Sequence, residues 1–133
     1  MSDVLFVCVA NSGRSVMAEQ IFNQLANGRH HAISAGSEPG SGPHPVVVEA
    51  LREIGLDASE HVPHKLDLGE VGRVDAVVST CGEEACPVTP PGTRRIFWYL
   101  PDPNGRPIEE VRETREEIRH RVERLIADLD AVA

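Results

Sequence analysis

Cys8, Arg14 and Ser15 share one short stretch, Cys8-Val9-Ala10-Asn11-Ser12-Gly13-Arg14-Ser15, which follows the apolar run Val4-Leu5-Phe6-Val7 and precedes an amphipathic pattern. A thiol, five intervening residues, an arginine and a hydroxyl therefore sit on a strand-to-helix turn. Such a turn aims the backbone N–H groups of Val9, Ala10, Asn11, Ser12 and Gly13, and the positive end of a helix, at one point, which makes a seat for an oxyanion. A cysteine in that seat is expected to be held as thiolate by the helix N-terminus and by Arg14, and thiolate is the reactive form. The bland alternative is a small buried cysteine closing a strand, and the order Asn11, Gly13, Arg14, Ser15 argues against it. Arg14 can grip a tetrahedral oxyanion through two parallel hydrogen bonds while the loop amides take its other oxygens. Cys8 then attacks the central atom, and a leaving oxygen needs a proton. Asp102, on the turn Pro101-Asp102-Pro103, is the candidate general acid, with a purely turn-forming role as the equal alternative. Asn11 is expected to order the loop. Ser15 either donates to the Cys8 sulfur or caps the helix.

Cys81 and Cys86 decide how the adduct of that first attack is resolved. With both inert, water resolves it and the chain is a hydrolase. With Cys81 in reach of Cys8, attack on that sulfur expels a reduced product and leaves a disulfide, which Cys86 can then move toward an external reductant. Residues five apart on an intact helix lie about 7.5 Å apart along the axis, whereas bridged cysteines want Cα atoms about 4.4–6.8 Å apart. A Cys81–Cys86 bridge therefore needs that segment irregular or unwound, which Gly82 and the Cys86-Pro87 step favour.

The elements that must position these groups are read from periodicity. Val4 to Val7 is a buried strand; Ala18, Ile21, Phe22 and Leu25 mark a helix from Ser15 to a stop at Gly28; Ala32-Ile33-Ser34 is a second strand. Pro45 opens a helix carrying Val47, Ala50, Leu51 and Ile54 and ending at Gly55. Val74 to Val78 and Ile96-Phe97-Trp98 are the third and fourth strands. The last helix aligns Val111, Ile118, Val122, Leu125, Ile126 and Leu129, and its charged face reads as solvated surface with i,i+4 pairs. Alternating strands and helices predict an α/β fold: residues 1–133 as a single domain, with a four-stranded parallel sheet flanked by helices on both faces. Ligands of open parallel sheets bind beyond the carboxyl ends of the strands, and Cys8, Cys81 and Asp102 each follow a strand, so they are expected on one sheet edge.

The formal charge of −8 over 133 residues disfavours nucleic acid or an anionic membrane as the main partner, so an anionic substrate has to be attracted locally. No charged segment leading into a long apolar stretch and no run able to span a membrane is present, so a cytoplasmic protein is expected. Three cysteines in a reducing compartment point to catalytic or transient redox use. The cysteines lack the neighbours of a structural zinc site. His30, His31, His61, His64 and His120 show no ligand spacing and read as surface or packing residues.

The chain resembles the low-molecular-weight tyrosine phosphatase superfamily, and within it the thioredoxin-coupled arsenate reductases. The likeness is carried by the Cys8 to Ser15 motif with Met17-Ala18-Glu19, by Ile33-Ser34-Ala35-Gly36, by His44-Pro45 leading into Ala50-Leu51 and Ile54-Gly55, and by Thr80-Cys81-Gly82, Cys86-Pro87 and Asp102-Pro103. It implies arsenate as substrate, arsenite as product, arsenic detoxification as the role, a relay of Cys8, Cys81 and Cys86, and electrons from thioredoxin, in a monomer with no resident cofactor. Some relatives also hold potassium, and Asn11, Glu19 and Ser34 resemble part of that ligand set. Relatives usually carry a longer spacer between the second and third cysteines than the four residues here. The phosphatase branch often has adjacent tyrosines after its Asp-Pro turn, where this chain has Asn104-Gly105-Arg106. A phosphotyrosine phosphatase and a reductase using mycothiol with a glutaredoxin-like partner remain the alternative readings.

Overall fold

The computed structural model describes residues 2–81 and 90–132; Gly82, Cys86, Pro87 and the remainder of 82–89 lie outside the described residues. Four strands, β1 (Asp3–Cys8), β2 (His31–Gly36), β3 (Ala76–Ser79) and β4 (Arg94–Phe97), form one parallel sheet in the order β2-β1-β3-β4. β1 lies inside the sheet and is buried from Val4 to Cys8, which explains why its sequence is apolar without alternation. Its even side chains, Val4 and Phe6, face the larger core; its odd ones, Leu5 and Val7, face a smaller core with Val71, Val74 and Val77. Helices do flank both faces, but unequally. Helices α1 (Arg14–Ala26), α2 (Pro45–Arg52) and α4 (Ile108–Ala131) share the Val4 side, while the short α3 (Leu68–Val71) contributes Val71 to the other. Phe6 anchors the main core, edge-on to Phe22 at 5.8 Å and tilted against Trp98 at 5.6 Å between ring centroids.

Several boundaries differ from the expected ones for physical reasons. The first helix stops at Ala26, with Asn27 in the left-handed region at φ 48° donating its N–H back to Asn23, so Asn27 ends the helix one residue before Gly28. The second helix ends at Arg52, and Ile54 packs on the core from the following turn. Ladder pairing in the third strand begins at Ala76, two residues after Val74, and runs on to Ser79. The fourth begins at Arg94 because a sheet-edge strand tolerates charge, and its pairing continues past Phe97 through the Trp98 N–H to the Ser79 carbonyl at 2.8 Å. No periodicity announced α3, a single turn capped by the Asp67 carboxylate, which accepts from the Gly69 N–H at 2.7 Å.

The charged side of α4 is not all solvated. Arg121 and Glu117 make the expected i,i+4 pair, but Arg115 is buried and donates to the Ala50 carbonyl and to Glu53, both at 2.8 Å. Arg112 also donates to Glu53, at 2.6 Å, and these two arginines hold the Glu53 carboxyl down at about 2. Glu53 thus staples the end of α2 to α4. His30 is likewise more than packing: its Nδ1 accepts from the Ser2 N–H at 3.0 Å, so Nε2 carries the proton donated to Asp130 at 2.7 Å.

Candidate active site

The carboxyl end of β1 runs into the 9–13 loop and then into α1, so the loop is clamped between a central strand and a helix. Gly36, at the end of β2, makes this possible. A Cβ there would stand 2.6 Å from the Val9 carbonyl and 3.0 Å from the Asn11 backbone N, so only glycine lets the two chains approach. Backbone bonds from Ser37, Glu38 and Gly40 to the carbonyls of Cys8, Val9 and Ala10 hold the outer rim of the loop.

Asn11 fixes the loop from within, as expected of it. Its φ is 52°, a left-handed conformation that asparagine tolerates better than most residues. Its side chain is fully buried and fully used: Nδ2 donates to Ser15 Oγ at 2.9 Å, while Oδ1 accepts from His61 Nε2 at 3.1 Å and from the His64 N–H at 2.9 Å. His61, read from sequence as surface or packing, is therefore part of the loop's support. Nothing in its spacing signalled this, because its partner is 50 residues away.

Ser15 is the second position of α1 and does not cap it; the N-cap is Gly13. Because Ser15 Oγ accepts from Asn11, its own hydroxyl proton is free to point at Cys8 Sγ, 2.9 Å away. The Asn11 N–H also donates to that sulfur, at 3.1 Å. Cys8 is buried, and its thiol is lowered to about 5 by hydrogen bonding from the Cys81 thiol first, against the opposing cost of burial, and then by Ser15 and the loop amides. The expected depression is present, but its leading cause is Cys81 and not Arg14. Cys81 shows the reverse: the Cys8 thiolate beside it and burial push its thiol well up, with Arg14 pulling weakly the other way. Strand register explains their meeting. Val7 pairs with Ser79, so Cys81 falls just beyond the end of the ladder, next to Cys8. Both are free thiols.

Arg14 donates to the Leu100 carbonyl at 3.0 Å, which anchors its guanidinium beside the loop and leaves other N–H groups free. A cavity of about 190 Å3 opens there, lined by Cys8, Val9, Ala10, Ser12, Gly13, Arg14, His44, Asp102 and Asn104. Asp102 both shapes its turn and reaches the cavity. One oxygen accepts the Asn104 N–H at 3.0 Å and shapes the turn, and the side chain lines the cavity with the thiol. Gly13 lets that turn close, because a Cβ on it would sit 2.8 Å from the Pro103 ring. Sequence reasoning treated His44 as part of a motif and missed it as a lining residue. Larger hollows exist, one of about 670 Å3 along the outer side of α4, but none of their lining residues is a cysteine.

The potassium ligands suggested by the resemblance are already engaged. Both lone pairs of Asn11 Oδ1 receive N–H donors, and Ser34 donates to Glu19 at 2.8 Å. Among the described residues no three His, Cys, Asp or Glu side chains gather as a metal site. Asn11, Glu19 and Ser34 are thus held in place by bonds within the protein.

A thiolate bonded by the Asn11 N–H and the Ser15 hydroxyl, with a guanidinium and a carboxyl lining the same cavity, defines an enzyme that attacks tetrahedral oxyanions on a four-stranded parallel α/β scaffold. The chain belongs to the low molecular weight phosphotyrosine protein phosphatase family, whose model matches residues 3–132. It is 33% identical over 122 residues to arsenate reductase 2 of Staphylococcus haemolyticus, covering 90% of this chain and 92% of that protein. Among solved structures it superposes on a thioredoxin-dependent arsenate reductase of Corynebacterium glutamicum with a TM-score of 0.84 at 33% identity, over 100% of this chain and 64% of that longer one. A low molecular weight protein tyrosine phosphatase of T. tengcongensis superposes with a TM-score of 0.83 at 28% identity, covering 96% of this chain and 99% of the other.

Proposed function

We propose that the chain reduces arsenate to arsenite. The observation that carries this reading is the Cys81 thiol set against the Cys8 thiolate, a second sulfur that hydrolysis does not need. The reductases of S. haemolyticus and C. glutamicum support it. Arsenate rests on the 9–13 amides and Arg14. The Cys8 thiolate attacks arsenic, an oxygen leaves as water with a proton from Asp102, and a Cys8–arsenic bond forms. Cys81, deprotonated, then attacks the Cys8 sulfur. The electron pair of the sulfur–arsenic bond passes to arsenic, arsenite departs, and a Cys8–Cys81 disulfide remains.

Cys86 lies outside the described residues; in this reading it attacks Cys81, frees Cys8, and presents a Cys81–Cys86 disulfide to thioredoxin. No helix among the described residues is long and apolar enough to cross a membrane, and reactive free thiols suit the reducing cytoplasm.

The phosphatase reading is disfavoured by the cavity lining. Among the described residues it includes no Phe, Tyr or Trp, and the cavity suits a small inorganic anion better than an aryl ester. The decisive assay tracks arsenate-dependent NADPH consumption with thioredoxin and thioredoxin reductase. Turnover should vanish in Cys8→Ser and in Cys81→Ser, with Cys81→Ser retaining one arsenic adduct detectable by mass spectrometry. Phosphotyrosine hydrolysis that survives loss of Cys81 and Cys86, with no arsenate reduction by any thiol, would refute the proposal.

A further inference from the structure

The geometry points to His44 as a second cationic contact for the bound oxyanion, one that sets how tightly a dianion is held as pH changes. The inference rests on the reading that the 9–14 loop seats a tetraoxyanion. A dianion placed there meets the Cys8 thiolate and the Asp102 carboxyl, and among the described residues the only permanently cationic side chain lining the cavity is Arg14, already tied to the Leu100 carbonyl. His44 lines the same cavity.

Its position is fixed. Its N–H donates to the Ser12 carbonyl at 2.9 Å, its own carbonyl accepts from Val47 and Val48, and Pro45 follows it at the start of α2. Its ring lies against the loop, with Cδ2 3.2 Å from where a Cβ on Gly13 would be, beside the Pro103 ring that presses on the same point. Of the six histidines, His30, His61 and His64 have ring nitrogens in hydrogen bonds. The His44 ring has no such partner among the described residues, and it lines the cavity that would receive an anion.

An imidazole ordinarily gains its proton within the pH range from 8 down to 5, and a neighbouring anion favours the charged form. The titratable and charged groups that line the cavity with it are Cys8 and Arg14 from the loop and Asp102 from the 101–105 turn. A protonated His44 donates a charge-assisted hydrogen bond that the neutral ring makes only weakly.

Sulfate separates this from substrate titration, because it remains a dianion across the whole range. Calorimetric titration of sulfate into the reduced protein in chloride buffers should give a Kd that rises about tenfold or more from pH 6 to pH 8, the lower end of what a hydrogen bond to a charged group contributes. His44→Asn and His44→Gln should bind at both pH values with the wild-type pH 8 affinity. Two results overturn the assignment: variants that keep the wild-type pH dependence, or variants that lose affinity equally at both pH values, as a merely structural residue would. The arsenate reading fails separately, since sulfate binding needs neither Cys81 nor a reductant. Sulfate that binds at neither pH removes the oxyanion seat and this role of His44 together.

Discussion

Ser15→Ala tests how the site holds its thiolate. The substitution removes the hydroxyl 2.9 Å from Cys8 Sγ while leaving the Asn11 N–H and the Cys81 thiol in place. A hydrogen bond to a charged acceptor contributes about 1.5–3 kcal/mol, and one pKa unit corresponds to about 1.4 kcal/mol. Cys8 should therefore rise from about 5 by roughly 1–2 units, to about 6–7. At pH 5.5 the thiolate fraction falls from roughly three quarters to between about a quarter and a few per cent, so alkylation slows by about threefold to about twentyfold. The assay is the rate of iodoacetamide labelling from pH 4 to 8, with Cys8 read separately from Cys81 by peptide mass spectrometry. The same change leaves the buried Asn11 Nδ2 without its acceptor, a cost of about 1–3 kcal/mol that should appear as a lower Tm. An unchanged labelling profile in a folded Ser15→Ala protein would show that the hydroxyl does not hold the sulfur, and the donor order from Asn11 through Ser15 to Cys8 would be wrong.

The same geometry sets three further outcomes. Cys8 is depressed to about 5 and Cys81 is raised, so between about pH 5 and 9 the folded pair keeps one proton where the unfolded pair keeps two; stability should rise with pH across that window by at most about 1.4 kcal/mol per pH unit. Above it the unfolded chain loses both protons while Cys81 keeps its own, and the slope reverses. The signature is the difference between denaturant melts of wild type and Cys8→Ser over pH 5–8, and parallel slopes would contradict it. Arg14→Lys should weaken sulfate binding by about tenfold to a hundredfold, because an ammonium cannot hold the Leu100 carbonyl and grip an anion bidentately as the guanidinium does; equal calorimetric affinities would sink the argument. Gly36→Ala should lower both Tm and Cys8 labelling, because its Cβ meets the Val9 carbonyl at 2.6 Å and the clash is with backbone that cannot turn aside.

The fold was legible where one physical demand acted alone. A strand buried on both faces must be apolar throughout, and Val4 to Val7 said so; a helix packed along one side must repeat its apolar residues, and Val111 to Leu129 did. The loop was legible because a thiol, an arginine and a hydroxyl must stand close in sequence to share one turn. What stayed hidden depended on distant partners or on competing demands. β4 carries Arg94 and Arg95, so its edge position masked its start. Arg115 looked like a solvated helix charge until Glu53 and the Ala50 carbonyl met it across two helices. His61 and His44 reach the loop from far along the chain, through contacts that no local spacing encodes. The lowering of Cys8 was anticipated while its main cause was not, since only the register of β1 with β3 shows that Cys81 lies beside it.

The single proton held between Cys8 and Cys81 acts as an interlock. While Cys8 is a thiolate, its charge keeps Cys81 protonated, so the second sulfur cannot act out of turn. In the proposed reaction, bonding Cys8 to arsenic cancels that charge and removes the largest influence holding the proton on Cys81, leaving burial to hold it against the pull of Arg14. The resolving nucleophile is thus armed by the event that must precede it. The order of the steps is in this way written in the electrostatics of two neighbouring sulfurs.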